Sequence, residues 1–321
     1  MDGPIQIIHL HKIESADRYL YHYTRAETAI DYILANGTLR MSPFTAVNDP
    51  WEAKHWFAEA VLNPGDDQAA HEFMIQTASP ALKGESKLLC FTRDAPEAAI
   101  NPDVPNDFDF GTIWYRGFCR PRMWAQYAST KGVNDGICLV FDSALLETAL
   151  AKHLSGSAPA AIFRKGDISY RNRVRYPSPE FTFDYHRIKS LGLKTAISEH
   201  LEVHWRSLFF TKATDWRDER EFRFFVANVS TDYITFPFKN ALKALVVGPD
   251  FAEHQVAHLI ELCERSFGIR PSQLFWQNGY PQPYPQILPP GFKSHVDVSR
   301  LRINPLSDDA MKGGYTHDVE F

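Results

Sequence analysis

Apolar residues recur along this chain at two spacings, and the spacings divide it into strands and helices. A period of two sends successive side chains to opposite faces of a strand. It is clearest over residues 219–226. There Glu219, Glu221, Arg223 and Phe225 share one face, and Arg220, Phe222, Phe224 and Val226 share the other. Residues 19–24, Tyr-Leu-Tyr-His-Tyr-Thr, read as a short strand of aromatic and polar residues. Apolar runs predict buried strands at 87–92 and 136–142. Further strands are expected at 161–170, 233–238 and 241–247.

The helical period predicts the other elements. Ala26, Ala29, Ile30, Ile33 and Leu34 fall on one helical face. Thr24 and Glu27 have the spacing of a capping box, and Asn36-Gly37 supplies a left-handed stop. A short apolar piece at 39–41 ends at Ser42-Pro43, and residues 47–52 make a turn into another helix. Helices are also predicted at 121–129, with a proline near the start, at 194–210 and at 251–267. Residues 94–112 read as a long surface loop, and 278–291 are rich in proline and aromatic residues. Strands and helices are interspersed without regular alternation, so the expected fold is α+β, with a mixed or largely antiparallel sheet flanked by helices. The expected organisation is an N-terminal extension at 1–18, a single domain at 19–270 and a C-terminal tail at 271–321.

Composition narrows the class of protein. With 44% hydrophobic and 23% charged residues among 321, the chain has ordinary globular composition. No stretch approaches the run of about 18 apolar residues that a membrane helix needs, and no signal peptide is visible at the start. Cys90, Cys119, Cys138 and Cys263 are scattered without paired metal-ligand spacing, which fits free thiols in a reducing cytoplasm. A net charge of -5 gives no global attraction to nucleic acid. Glycine-rich phosphate loops, His-Glu-x-x-His, Cys-x-x-Cys and the Gly-x-Ser-x-Gly elbow are all absent. Those absences argue against dinucleotide-binding dehydrogenases, P-loop ATPases, zinc hydrolases and α/β-hydrolases.

The polar face at 219–226 is the strongest chemical signal. If all of it is strand, Glu219 and Glu221 lie roughly 6.5–7 Å apart on one face. That suits a pair of working carboxylates, but also a solvent-facing ladder of Glu and Arg worth about 0.2–1 kcal/mol per pair. Lys212 and Arg223 have the chemistry to hold phosphate, or to pair with nearby carboxylates. His22 reads as a ligand contact or as a core histidine satisfied by a backbone carbonyl. Tyr127 reads as helix packing or as a flat face for a planar ring. Asp49 and Glu52 lie in a turn that local hydrogen bonding explains, yet either could face a pocket.

Three ordered blocks carry a resemblance. The first is His22-Tyr-Thr with the helix to Asn36-Gly37 and the run from Asn48 to Glu52. The second is Leu89-Cys-Phe-Thr92, residues 123–128 and the strand at 136–141. The third is Lys212, Asp215-Trp216, Glu219, Glu221 and Arg223. Together, over roughly residues 19–248, they resemble DUF2971, a bacterial family of unknown function. A histidine in a first strand, a helix reading Ile-Leu-x-x-Gly and a glutamate on a later strand also resemble the NAD-dependent ADP-ribosyltransferase fold. That resemblance implies Glu221 or Glu219 as the catalytic carboxylate. It places NAD, as substrate, against His22, Tyr23, Tyr127, Lys212 and Arg223. It further implies a macromolecular acceptor, protein or nucleic acid, and a bacterial toxin or antiphage defence effector. Two other readings stand beside it. One is a non-enzymatic nucleotide- or partner-binding module. The other is a nuclease holding Mg²⁺ among Asp49, Glu52, Glu219 and Glu221.

Overall fold

The described residues form fourteen strands: β1 (Tyr19–Thr24), β2 (Thr38–Pro43), β3 (Glu59–Val61), β4 (Lys87–Thr92), β5 (Ile137–Asp142), β6 (Ile162–Asp167), β7 (Ser169–Tyr170), β8 (Thr182–Asp184), β9 (Thr211–Lys212), β10 (Glu221–Ala227), β11 (Ile234–Pro237), β12 (Leu242–Val247), β13 (Ser272–Gln277) and β14 (Tyr280–Tyr284). The structure is a computed structural model that describes residues 17–54, 56, 59–61, 68–95, 113, 115–172, 178–277 and 279–288. The described residues up to Ile287 form one compact unit.

Ten strands make one sheet in the order β11-β2-β4-β1-β5-β12-β13-β14, with β10 also on β4 and β6 on β10. All its pairings are antiparallel except β12 with β13. The class is therefore α+β with a largely antiparallel open sheet flanked by helices. The sheet divides at β4. One edge of β4 pairs with β10 along its whole length, from Glu221 opposite Thr92 to Val226 opposite Lys87. The other edge is shared. There β2 pairs only with Lys87 and Leu88, and β1 only with Thr92. Leu89, Cys90 and Phe91 have no ladder partner on that edge, so β1 and β2 splay apart beside them.

Apolar burial holds both faces. Phe222, Phe224 and Val226 of β10 join the cluster that includes Leu139, Phe141, Leu146 and Leu150. Phe225 joins a second cluster with Phe44, Leu201, Phe209 and Phe210. Every residue of β10 is buried, so its polar side chains are buried too. Ladders of Glu and Arg facing solvent do not occur there.

Several expectations need correction. β10 begins at Glu221, because Thr214–Glu219 is a 3-10 turn and Arg220 takes a left-handed backbone at φ 44°. Thr24 makes no capping bond, because it stays in β1 opposite Ile137; the next helix, Thr28–Leu34, lacks a side-chain cap, while Gly37 beyond it takes the expected left-handed backbone at φ 62°. The strand expected at 161–170 is two strands, since Ile168 leaves the ladder. The segment from 272 to 284 adds β13 and β14 to the sheet. Most of the expected 94–112 loop lies outside the described residues. Helices at Ser143–Ser157 and Tyr185–Leu191 were not anticipated.

Candidate functional site

The gap beside β4 opens as a cleft of about 780 Å³. Its lining includes His22, Tyr23, Tyr127, Lys212, Glu219, Glu221 and Arg223, together with Glu52. The sequence scatters these residues across 200 positions; the splayed sheet gathers them.

His22 comes from β1, and its ring bridges the gap in the sheet. Nδ1 lies 3.1 Å from the carbonyl oxygen of Cys90, one of the β4 residues without a strand partner. A carbonyl only accepts, so Nδ1 carries the proton. Burial lowers the imidazole pKa, with the Cys90 bond opposing, so the ring is neutral at pH 7. Nε2 is then a lone-pair acceptor, and among the described residues no hydrogen-bond partner engages it. Tyr23, one residue on, points the other way. Its hydroxyl donates to the Gly117 carbonyl at 2.6 Å and accepts from the Arg120 amide at 3.3 Å. It therefore braces the loop ahead of the Pro121–Tyr127 helix.

That helix delivers Tyr127. Its position depends on Gly136, where an added Cβ would lie 2.6 Å from the Cα of Ala128 and from the Thr24 carbonyl oxygen. Only glycine lets β5 start that close to the helix end. The Tyr127 hydroxyl donates to Glu219 Oε1 at 2.7 Å. Burial, and then the Glu219 charge, push its pKa well up.

The carboxylates form one buried network with two cations. Lys212 Nζ lies 2.8 Å from Glu219 Oε2 and 2.7 Å from Glu221 Oε2. The left-handed Arg220 reverses the chain between the two glutamates, which is how both reach one ammonium. Arg223 donates through Nε to Glu221 Oε1. Its two terminal nitrogens hold Glu52 in a bidentate pair at 2.6 and 2.8 Å, and one also donates to the Phe209 carbonyl. Bidentate pairing of this kind fixes direction as well as charge. The Tyr170 hydroxyl takes the Glu221 amide at 2.9 Å. All five charged side chains are at most 7% exposed. Lys83, also buried and donating to the Glu52 carbonyl, adds a third cation beside these three carboxylates.

The protonation states follow. Burial alone would raise Glu221, but Arg223 and Lys212 outweigh it and hold its pKa at about 2. Burial would lower Lys212 and Arg223, but the glutamates raise both. Burial raises Glu52, and Arg223 opposes the rise. Glu221 Oε2 touches Lys212 without hydrogen-bond alignment, so it retains accepting capacity.

Glu52 is the member that sequence reasoning left open. It reaches the network because Asp49 caps the Pro50–Ala53 helix through the Trp51 amide at 2.9 Å. Lys83 clamps the same turn, donating to the Glu52 carbonyl at 2.5 Å and to that of Lys54. Asp49, spent as a cap, is absent from the cleft lining. Among the described residues no group of three or more His, Cys, Asp or Glu side chains could hold a metal ion. Lys212 and Arg223 occupy the positions between the carboxylates.

Fold and site together define an α+β protein with a polar cleft in a split sheet and a floor of buried, paired charges. The family model described as Protein of unknown function (DUF2971) matches residues 123–224. Over that stretch, which runs from the Tyr127 helix through most of β10, the chain resembles that family. Comparison with curated proteins and with solved structures gives no match. No described helix is long and apolar enough to cross a membrane.

Proposed function

We propose that the cleft binds NAD and cleaves its nicotinamide–ribose bond, passing the ADP-ribosyl group to a macromolecular acceptor. The observation that carries this reading is the continuity of the cleft: it joins the open Nε2 of His22 to the carboxylate floor. In the reaction the C1′–N bond breaks, and its electron pair leaves with nicotinamide. Positive charge develops on the ribose, as in glycoside cleavage. Glu221, held ionised at the floor, stabilises that charge without reorganisation. The Nε2 of His22 accepts from a ribose hydroxyl, and Glu221 Oε2 faces the developing cation. Tyr127 lies over the nicotinamide, while Tyr23 holds the adjoining loop. The acceptor's nucleophile then attacks C1′ and releases its proton.

Free thiols at Cys119, Cys138 and Cys263, all buried, fit a reducing cytoplasm. A diffusible enzyme of this chemistry fits a bacterial toxin or defence effector. The acceptor, protein or nucleic acid, is to be found by labelling.

A second reading rests on a separate observation. Both oxygens of Glu52 and of Glu219 already accept hydrogen bonds within the protein. A floor locked in that way also suits a binding module that holds a nucleotide without cleaving it. The assay is nicotinamide release from NAD in the presence of cell extract, with NAD affinity measured in parallel. Release by the wild type, lost in Glu221→Gln with binding retained, supports the enzyme. Tight binding without release supports the module. Neither binding nor release removes both.

A further inference from the structure

We propose that the β2–β11 edge of the cleft is an anion subsite that takes a phosphate or pyrophosphate group, with Arg40 as its cation. The proposal rests on the nucleotide reading of the cleft for its ligand class, but not on cleavage.

The cleft's cations divide into two kinds. Lys212 and Arg223 are buried and fully occupied by glutamates. Arg40 also lines the cleft, is exposed, and makes no ion pair with any described residue. Its guanidinium stacks 4.5 Å from the ring centre of Tyr233. Stacking fixes the plane of the guanidinium and leaves its in-plane N–H groups free to donate.

Strand geometry supplies the companions. Thr38, Arg40 and Ser42 alternate along β2 and line the cleft together with Leu39, while Met41 lies in the core beneath. Thr235 of β11 is the direct ladder partner of Arg40 and also lines the cleft. Three hydroxyl-bearing residues therefore flank Arg40 on the cleft side of β2 and β11, side chains of a kind that bind phosphate oxygens.

The floor and this edge lie on opposite sides of the opening. Arg223 is on β10 and Arg40 on β2, with β4 and the gap between them. Two strand spacings already amount to about 10 Å. One end of the cleft thus carries carboxylates already paired with cations, and the other an unpaired cation. A ligand matching both ends is elongated, with an electron-poor group at the floor and an anionic group at the edge. A ribosyl pyridinium joined to a pyrophosphate has that polarity; a neutral nucleoside does not.

The test is calorimetric titration of the full chain with ADP-ribose and with adenosine, in wild type, Arg40→Ala and Arg40→Lys, with thermal melts of each variant. The expected result is tighter binding of ADP-ribose than of adenosine by the wild type. Arg40→Ala should lose about tenfold in ADP-ribose affinity with an unchanged melt, and Arg40→Lys should recover part of it. Adenosine affinity should not change. Equal ADP-ribose affinity of Arg40→Ala and wild type overturns the subsite, even if NAD is cleaved. So does a wild type that cleaves NAD but binds ADP-ribose no better than adenosine. Conversely, Arg40-dependent ADP-ribose binding without nicotinamide release leaves the subsite standing and defeats the proposed reaction.

Discussion

The two ends of the cleft use charge in opposite ways. At the floor, Glu52, Glu219, Glu221, Lys212 and Arg223 are buried and bonded to one another. At the β2 edge, Arg40 is exposed and its only described contact of this kind is an aromatic face. Burial makes the difference. A charge withdrawn from water needs a partner inside the protein, and losing that partner strands it. An exposed charge keeps its hydration until a ligand displaces it, so it contributes little to stability and is free to contribute to binding. The floor should therefore respond to mutation through folding, and the edge through affinity.

The sharpest way to break that contrast is Arg223→Met. It leaves Glu52 and Glu221 buried without their guanidinium and should destabilise the fold by about 3–5 kcal/mol, measured by urea unfolding. A loss under about 1 kcal/mol would mean that the network is hydrated and the floor is not the locked region described. Tyr127→Phe comes next. It removes one hydrogen bond to an ionised carboxylate, for an expected loss of about 1.5–3 kcal/mol in the same measurement.

Acid titration isolates Glu221. Its folded pKa is held at about 2, below the ordinary 4.5, so its ionisation stabilises the fold above about pH 4.5. That contribution fades as the pH falls towards 2. The difference in unfolding free energy between wild type and Glu221→Gln should accordingly be constant near neutrality and shrink between pH 4.5 and 2. A difference that grows on acidification would reverse the assignment. The smallest effect belongs to the edge. Arg40→Ala should change stability by no more than about 0.5 kcal/mol, checked by thermal melting, whatever it does to ligand affinity.

Much of this arrangement is legible in the chain, for reasons that differ by element. β1, β4, β5 and β12 announce themselves because short apolar runs between turn residues leave little alternative. The candidate residues stand out for separate reasons: His22 and Tyr23 interrupt β1, Glu221 and Arg223 put charge on the alternating β10, and Tyr127 ends a short helix. Glu219 shows where local reading ends. Alternation predicts a strand through 219, but Thr214–Glu219 is a 3-10 turn and Arg220 takes a left-handed backbone that an arginine does not advertise. The two glutamates still converge, by a route the period of two does not contain. Glu52 is a similar case. Its local turn chemistry was visible, but the bidentate partner lies 171 positions away. The Ser143–Ser157 helix is a different kind of omission, since Leu146, Leu150 and Leu154 mark its buried face at helical spacing. The split in the sheet has no sequence signature at all, because it arises from two strands sharing one edge of β4.

A crystal structure with a non-cleavable NAD analogue tests the central claim most directly. Density is expected in the gap beside β4, with a ribose hydroxyl on His22 Nε2, the nicotinamide end towards Glu221 and Tyr127, and the pyrophosphate at Arg40. An analogue bound elsewhere, or bound in the reverse direction with its phosphates over the glutamates, would contradict it.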